Sequence, residues 1–106
     1  MLVPDGDTLS ISVRDRSDAR HLRLAGRFDV VTSSALDREV DSGWPRDVVL
    51  DLGALTFMDG AGWLAVMALQ QRVRDRGKNL RVVNVPERIR RIFDVTETAY
   101  LLTEPV

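Results

Sequence analysis

Cysteine is absent from this 106-residue chain, which excludes disulfides and thiolate metal sites. Lys78 is the only lysine, His21 the only histidine and Tyr100 the only tyrosine. His21, beside Leu22 in a strand-like stretch with no second ligand candidate, reads as a surface residue and not a metal centre. Long apolar runs are missing too: none approaches the roughly 20 residues that span a bilayer, so no membrane insertion is expected. The opening stretch MLVPDGDTLS has neither a basic n-region nor an apolar h-region, and no secretion leader is expected. A large excess of one charge is also lacking. The net charge is −1, which argues against a dedicated nucleic-acid binder. The expectation is one soluble, cytoplasmic domain over residues 1–106, long enough for a single apolar core.

What is present is a regular succession of patterns. Thr8 to Arg14 alternates, with Leu9, Ile11 and Val13 on one side, as a half-buried strand does. DRSDA breaks the alternation and HLRLAG resumes it, which predicts an antiparallel hairpin closed by GRFD at 26–29. Thr32, Ser33 and Ser34 then offer cap hydroxyls ahead of Ala35, Leu36 and Val40 at helical spacing, with Asp37 completing a capping box on Ser34. Gly43 and Trp44-Pro45 stop that helix. Val48 to Leu52 predicts a short central strand buried on both faces. Residues 60–76 predict a long helix stopped by Gly77, and Asn79 to Val85 another buried strand. Pro86 suits the first position of a third helix with Ile89, Ile92 and Phe93 inward, and TAYLLTEPV offers a last short strand before Pro105. The order β-β-α-β-α-β-α, with an optional final strand, predicts an α/β domain. Its mixed sheet has four to five strands, opens with a hairpin and carries three main helices.

Ligand sites in open α/β sheets gather where strands end and helices begin. Two loops qualify, GRFDVVTSS and FMDGAGW, and if adjacent they bring Asp29 and Asp59 to one rim. Residues 57–63 carry no Ser, Thr, Tyr, His or Cys. Asp59 suits the N-cap of the long helix, accepting from the N–H of Ala61 or Gly62. The glycines at 60 and 62 suggest backbone N–H groups left bare, which would seat an anion. Chemical readings fail on inspection. The loop lacks the Lys and Ser/Thr of a phosphate-binding GxxxxGK[ST] loop, and DGAG is too short for GxGxxG. Paired carboxylates would need an acid of raised pKa in a pocket, and no other residue here supplies one. No enzyme activity, cofactor or metal is expected. Between Gln70 and Arg91, Arg72, Arg74, Arg76, Lys78, Arg81, Arg88, Arg90 and Arg91 face only Asp75 and Glu87, either as a solvated face or as a dock for an acidic partner.

The stretch from Val48 to Val85 is similar to the central block of STAS domains of the bacterial anti-sigma factor antagonist type. Matching features are a strand with Asp-Leu at 51–52, Phe-Met-Asp at 57–59, a small-residue turn ending in Gly62, and a long helix. GRFD resembles the Gly-x-Leu-Asp that precedes the first helix in that family. The resemblance extends over nearly the whole chain and implies a single STAS-like domain. It also implies a partner, an anti-sigma factor of the histidine-kinase-like ATPase kind. Separately from the resemblance, a monomer or weak dimer is expected.

In that family the turn usually reads Asp-Ser-Ser-Gly, and its second Ser is phosphorylated by the partner kinase. Mapped here, the first Ser falls at Gly60 and the acceptor at Ala61, so the hydroxyl is gone. The implied module binds its partner constitutively or is regulated elsewhere, with Thr56, Ser33 and Ser34 as alternative acceptors. The partner-binding residues implied are Asp29, Thr32, Ser33, Asp59, Gly60, Ala61, Gly62, Trp63 and Met67. Trp63 stands in the first turn of the helix, with Met67 one turn on and Gln70 on the same stripe. With Leu64 and Ala68 taken as facing the sheet, Trp63 reads either as core or as an interface anchor. Two other classes remain open: a STAS subunit supporting an ABC-type lipid transporter ATPase, and a small-ligand sensor using the N–H groups of Gly60 to Gly62.

Overall fold

The computed structural model describes residues 8–40 and 47–102. Gly43, Trp44-Pro45 and Pro105, read above as stops, lie outside the described residues. Strands β1 (Leu9–Asp15) and β2 (Ala19–Phe28) form the expected hairpin. Helix α1 (Ser34–Val40) leads to β3 (Asp47–Met58), α2 (Gly60–Asp75), β4 (Leu80–Val83) and α3 (Glu87–Val95). The sheet order is β1-β2-β3-β4, antiparallel in the first pair and parallel in the next two.

The expected final strand is a 3-10 turn, Ala99–Leu101, followed by a single parallel bridge from Leu102 to Val82. Among the described residues, four strands therefore make the sheet. Pro86 is the N-cap of α3 and not its first residue, because its ψ of 146° is still extended. α1 begins at Ser34 itself, so Ser34 is helical and does not precede the helix.

β3 departs most from expectation: it continues past Leu52 to Met58. Gly53 and Ala54 have poor strand propensity, but β2 offers pairing as far as Phe28. The register slips between Arg23 and Ala25 and again between Gly26 and Arg27, each time with one extra residue on β3. The Asp51 carboxylate takes the Gly53 N–H at 2.8 Å beside the first slip. These bulges let the two strands end level, with Phe28 opposite Met58.

One face of the sheet carries Leu22, Leu24, Leu50, Leu52 and Val82 into a single core with Val66, Leu69 and Val73 of α2 and Ile89 and Phe93 of α3. Each such Leu contributes about 1.5–3 kcal/mol relative to exposure. Val49 and Leu50 are adjacent, point to opposite faces and are both buried, so the start of β3 is covered on two sides as expected. Leu64 and Ala68 are exposed, contrary to their assumed sheet-facing role. Gly62, Val66, Leu69 and Val73 define the true inner stripe of α2. The helix ends in a Schellman turn: Lys78 N–H reaches Val73 O at 3.0 Å and Gly77, at φ +73°, reaches Arg74 O at 2.9 Å.

Candidate functional site

Parallel strands that end level place the residues that follow them side by side. Asp29 follows Phe28 and Asp59 follows Met58, and the Asp59 N–H donates to Phe28 O at 3.3 Å. The two loops therefore share a rim at the C-terminal edge of the sheet, which meets the condition of adjacency that the sequence left open.

Asp59 caps α2. Its Oδ1 accepts the N–H groups of Ala61 at 2.9 Å and Gly62 at 3.1 Å, with the charge at the positive end of the helix. Those two donors are consequently engaged, which overturns the expectation of bare N–H groups there. Gly62 is demanded by space: a Cβ would lie 2.4 Å from Phe28 O and 2.8 Å from Met58 Cγ. Gly60 has nothing within 4 Å of its would-be Cβ. Ala61 is half-buried.

Asp29 builds the neighbouring turn in the same way. Its Oδ1 accepts Val31 N–H at 3.0 Å and Thr32 N–H at 3.2 Å, and Arg27 Nε lies 3.3 Å from Oδ2. The Thr32 hydroxyl donates to Arg27 O at 2.7 Å and accepts the Asp29 N–H at 3.0 Å. Burial alone would raise the Asp29 pKa. The N–H groups of Val31 and Thr32, with the Arg27 and Thr32 side chains, outweigh it and hold the carboxyl below its ordinary value. Ser33 donates its backbone N–H to Asp29 O at 2.8 Å. In the structure these polar residues hold the turn in shape.

Arg27, which the sequence did not single out, lies 4.0 Å over the Phe57 ring while it approaches Asp29, clamping both loops. Thr56 donates to Gly26 O at 3.1 Å. Trp63 is half-buried, packs on the core with Met67, and sends its indole N–H to Thr98 Oγ1 at 3.1 Å. It pins the first turn of α2 to the Thr96–Thr98 turn, whose hydroxyls lie 2.8 Å apart.

Large apolar groups are among those left open around the rim: Val30 is 74% exposed, Val31 79% and Leu64 59%. Sequence reasoning took Leu64 as facing the sheet and passed over the two valines, although two consecutive valines directly after Asp29 fit neither a helical nor a strand period. Among the described residues no group of three or more His, Cys, Asp or Glu could hold a metal, and no helix is long and apolar enough to cross a membrane.

A family model described as Mlab, STAS domain, matches residues 11–103. The anti-sigma-B factor antagonist of Staphylococcus epidermidis is 28% identical over 91 residues, covering 83% of this chain and 84% of that one. An anti-sigma factor antagonist from Mycobacterium paratuberculosis superposes with a TM-score of 0.78 at 21% identity, over 96% of this chain and 89% of its own. A sulfate transporter family protein from Wolinella succinogenes superposes at 0.69 with 16% identity, over 96% and 80% of the two chains. At these identities the two solved structures establish a shared fold.

Proposed function

This chain belongs to the STAS domain family, and from that premise we propose a non-catalytic protein-binding module of the anti-sigma factor antagonist kind. Its partner is an anti-sigma factor, a histidine-kinase-like ATPase. The observation that carries the reading is the rim. Two adjacent turns are each held by an aspartate, and exposed apolar groups at Val30, Val31 and Leu64 surround them. A preformed surface loses little ordering entropy on association, and its apolar groups gain by leaving water. The contact surface is formed by Asp29, Thr32, Ser33 and residues 59–63 with Met67, joined by those three apolar groups.

The family's phospho-acceptor position is Ala61, so this rim has no hydroxyl to modify at that point. A phosphate there would add about −1.5 to −2 charges beside Asp59 and repel a partner fitted to a neutral loop. Without it the module stays competent to bind. Incubation with the host's anti-sigma kinase and ATP, followed by mass spectrometry, checks this. Phosphate on any rim residue, Thr56, Ser33 and Ser34 included, defeats the constitutive reading.

A second reading draws on the Mlab description of the matching family and on the fold shared with a sulfate transporter family protein. Here the domain supports a transporter ATPase. Affinity capture from the native host separates the two. An anti-sigma ATPase retained by the parent and lost by a Val31→Asp/Leu64→Asp variant supports the first reading, and a transporter ATPase supports the second. The third class, an anion seat at Gly60 to Gly62, loses two of its donors to Asp59.

A further inference from the structure

The face of the sheet opposite the core collects arginines from separate segments. Alternation puts Ser12 and Arg14 of β1 on this face with His21 and Arg23 of β2 and Asp51 of β3. The register sets Arg14 opposite His21 and Ser12 opposite Arg23, with Arg23 next to Asp51. Arg16, from the hairpin turn, joins them. These side chains line a groove of about 340 Å³, within the size range of small-ligand sites. The groove lies on β1, β2 and β3, away from the rim that carries the partner reading, and is independent of that reading.

Three cationic side chains line it against one carboxylate. Among the described residues, Arg14, Arg16 and Arg23 take part in none of the ion pairs. Asp51 is the single carboxylate in the lining, and its Oδ1 is committed to the Gly53 N–H at 2.8 Å. Nearby, Arg20 shows what the same hairpin does with an arginine it satisfies: both Nε and Nη2 meet the two oxygens of Asp15, at 2.6 and 2.9 Å. Like charges crowded on one face of a strand pair repel one another. Three guanidinium groups around a concavity, with a hydroxyl and an imidazole beside them, form a set rich in donors that a single carboxylate, Asp51, faces. Guanidinium groups in that number match an oxyanion with several oxygens, which each can grip in a two-pronged manner.

We propose that this groove binds a phosphate-bearing oligoanion, held by Arg14, Arg16 and Arg23 with Ser12 and His21 as further donors. Phosphate fits better than a single carboxylate because three forks require more oxygens than one carboxylate presents. The anion is either a soluble phosphorylated compound or a phospholipid headgroup, and the chemistry of capture is the same.

Isothermal titration with inorganic pyrophosphate at low ionic strength provides the test, on the full chain and on an Arg14→Gln/Arg23→Gln variant. Arg88→Gln on α3 serves as a charge control. All three arginines are exposed, so circular dichroism is expected to show unchanged folding. The expected result is saturable binding, at least tenfold weaker in the double variant and unchanged in the control. Co-sedimentation with phosphatidic acid vesicles that pyrophosphate competes away identifies a headgroup as the source. Pyrophosphate binding without vesicle binding identifies a soluble one. Absence of saturable binding, or equal binding by parent and double variant, overturns the proposal. So does equal weakening by Arg88→Gln, which marks a diffuse charge effect.

Discussion

Replacing Gly62 by Ala places a methyl group where the end of β2 already stands. The added carbon would lie 2.4 Å from Phe28 O, 2.8 Å from Met58 Cγ and 3.1 Å from Phe28 Cδ2. The Met side chain can move aside, but the carbonyl belongs to a strand end that also accepts the Asp59 N–H. The start of α2 must therefore lift from the sheet. Overpacking of this kind costs about 1–3 kcal/mol, offset in part by the roughly 0.5–1 kcal/mol that Ala gains over Gly inside a helix. A net loss of about 1–2 kcal/mol is expected. At roughly 4–8 °C per kcal/mol for a domain near this size, the melting temperature falls by about 4–16 °C. Two residues earlier the sign reverses. Gly60→Ala meets nothing within 4 Å and restricts the unfolded chain, for a gain of about 0.4–1 kcal/mol. Thermal and urea melts followed by circular dichroism measure both variants. If Gly62→Ala melts at or above the parent, or Gly60→Ala falls further than Gly62→Ala, the packing account of this turn is wrong.

Three further outcomes follow from the same geometry. Asp59→Ala loses the cap of α2 and about 1 kcal/mol in urea melts, while Asp59→Asn, which keeps an acceptor oxygen, recovers most of it. Trp63→Phe and Thr98→Val each cost stability, and a double-mutant cycle returns a coupling of about 0.5–1.5 kcal/mol for the indole hydrogen bond. Near-zero coupling would mean that the bond is not made. The Asp29 carboxyl is held below its ordinary value of 3.8, so its contribution is fully present above that pH and is lost as pH falls through the lower folded value. Asp29→Asn therefore flattens the acid limb of the stability profile below about pH 4, and an unchanged limb would contradict the hydrogen-bond account.

Much of the architecture is local in origin and so was readable along the chain. The hairpin strands alternate with period two, Gly77 can adopt the left-handed turn that ends a helix, and Asp59 stands one residue before the helix it caps. Each signal involves residues within about one turn of one another, where backbone sterics and short side-chain hydrogen bonds act. The polar part of the rim is held by bonds of the same short range: Asp29 and Thr32 are three residues apart and satisfy each other. Its apolar part, Val30, Val31 and Leu64, needed the assembled surface, because exposure is a property of what packs around a residue and not of its neighbours in sequence.

The sequence by itself determined the four strands and three helices up to Val95, their order, and the capping of the turn at residues 59–62, since these follow from periodicity and short-range sterics. Tertiary structure decided the rest. Only pairing with β2 could extend β3 through two bulges to Met58, against the low strand propensity of Gly53 and Ala54. Only packing on the sheet could select the stripe of Val66, Leu69 and Val73 over that of Leu64 and Ala68 on a helix whose first half is apolar nearly all round. Only the folded chain could bring Trp63 to a hydroxyl 35 residues away, or gather Arg14, Arg16 and Arg23 around one groove. Contacts between distant segments depend on how whole elements pack, and no local spacing records that choice.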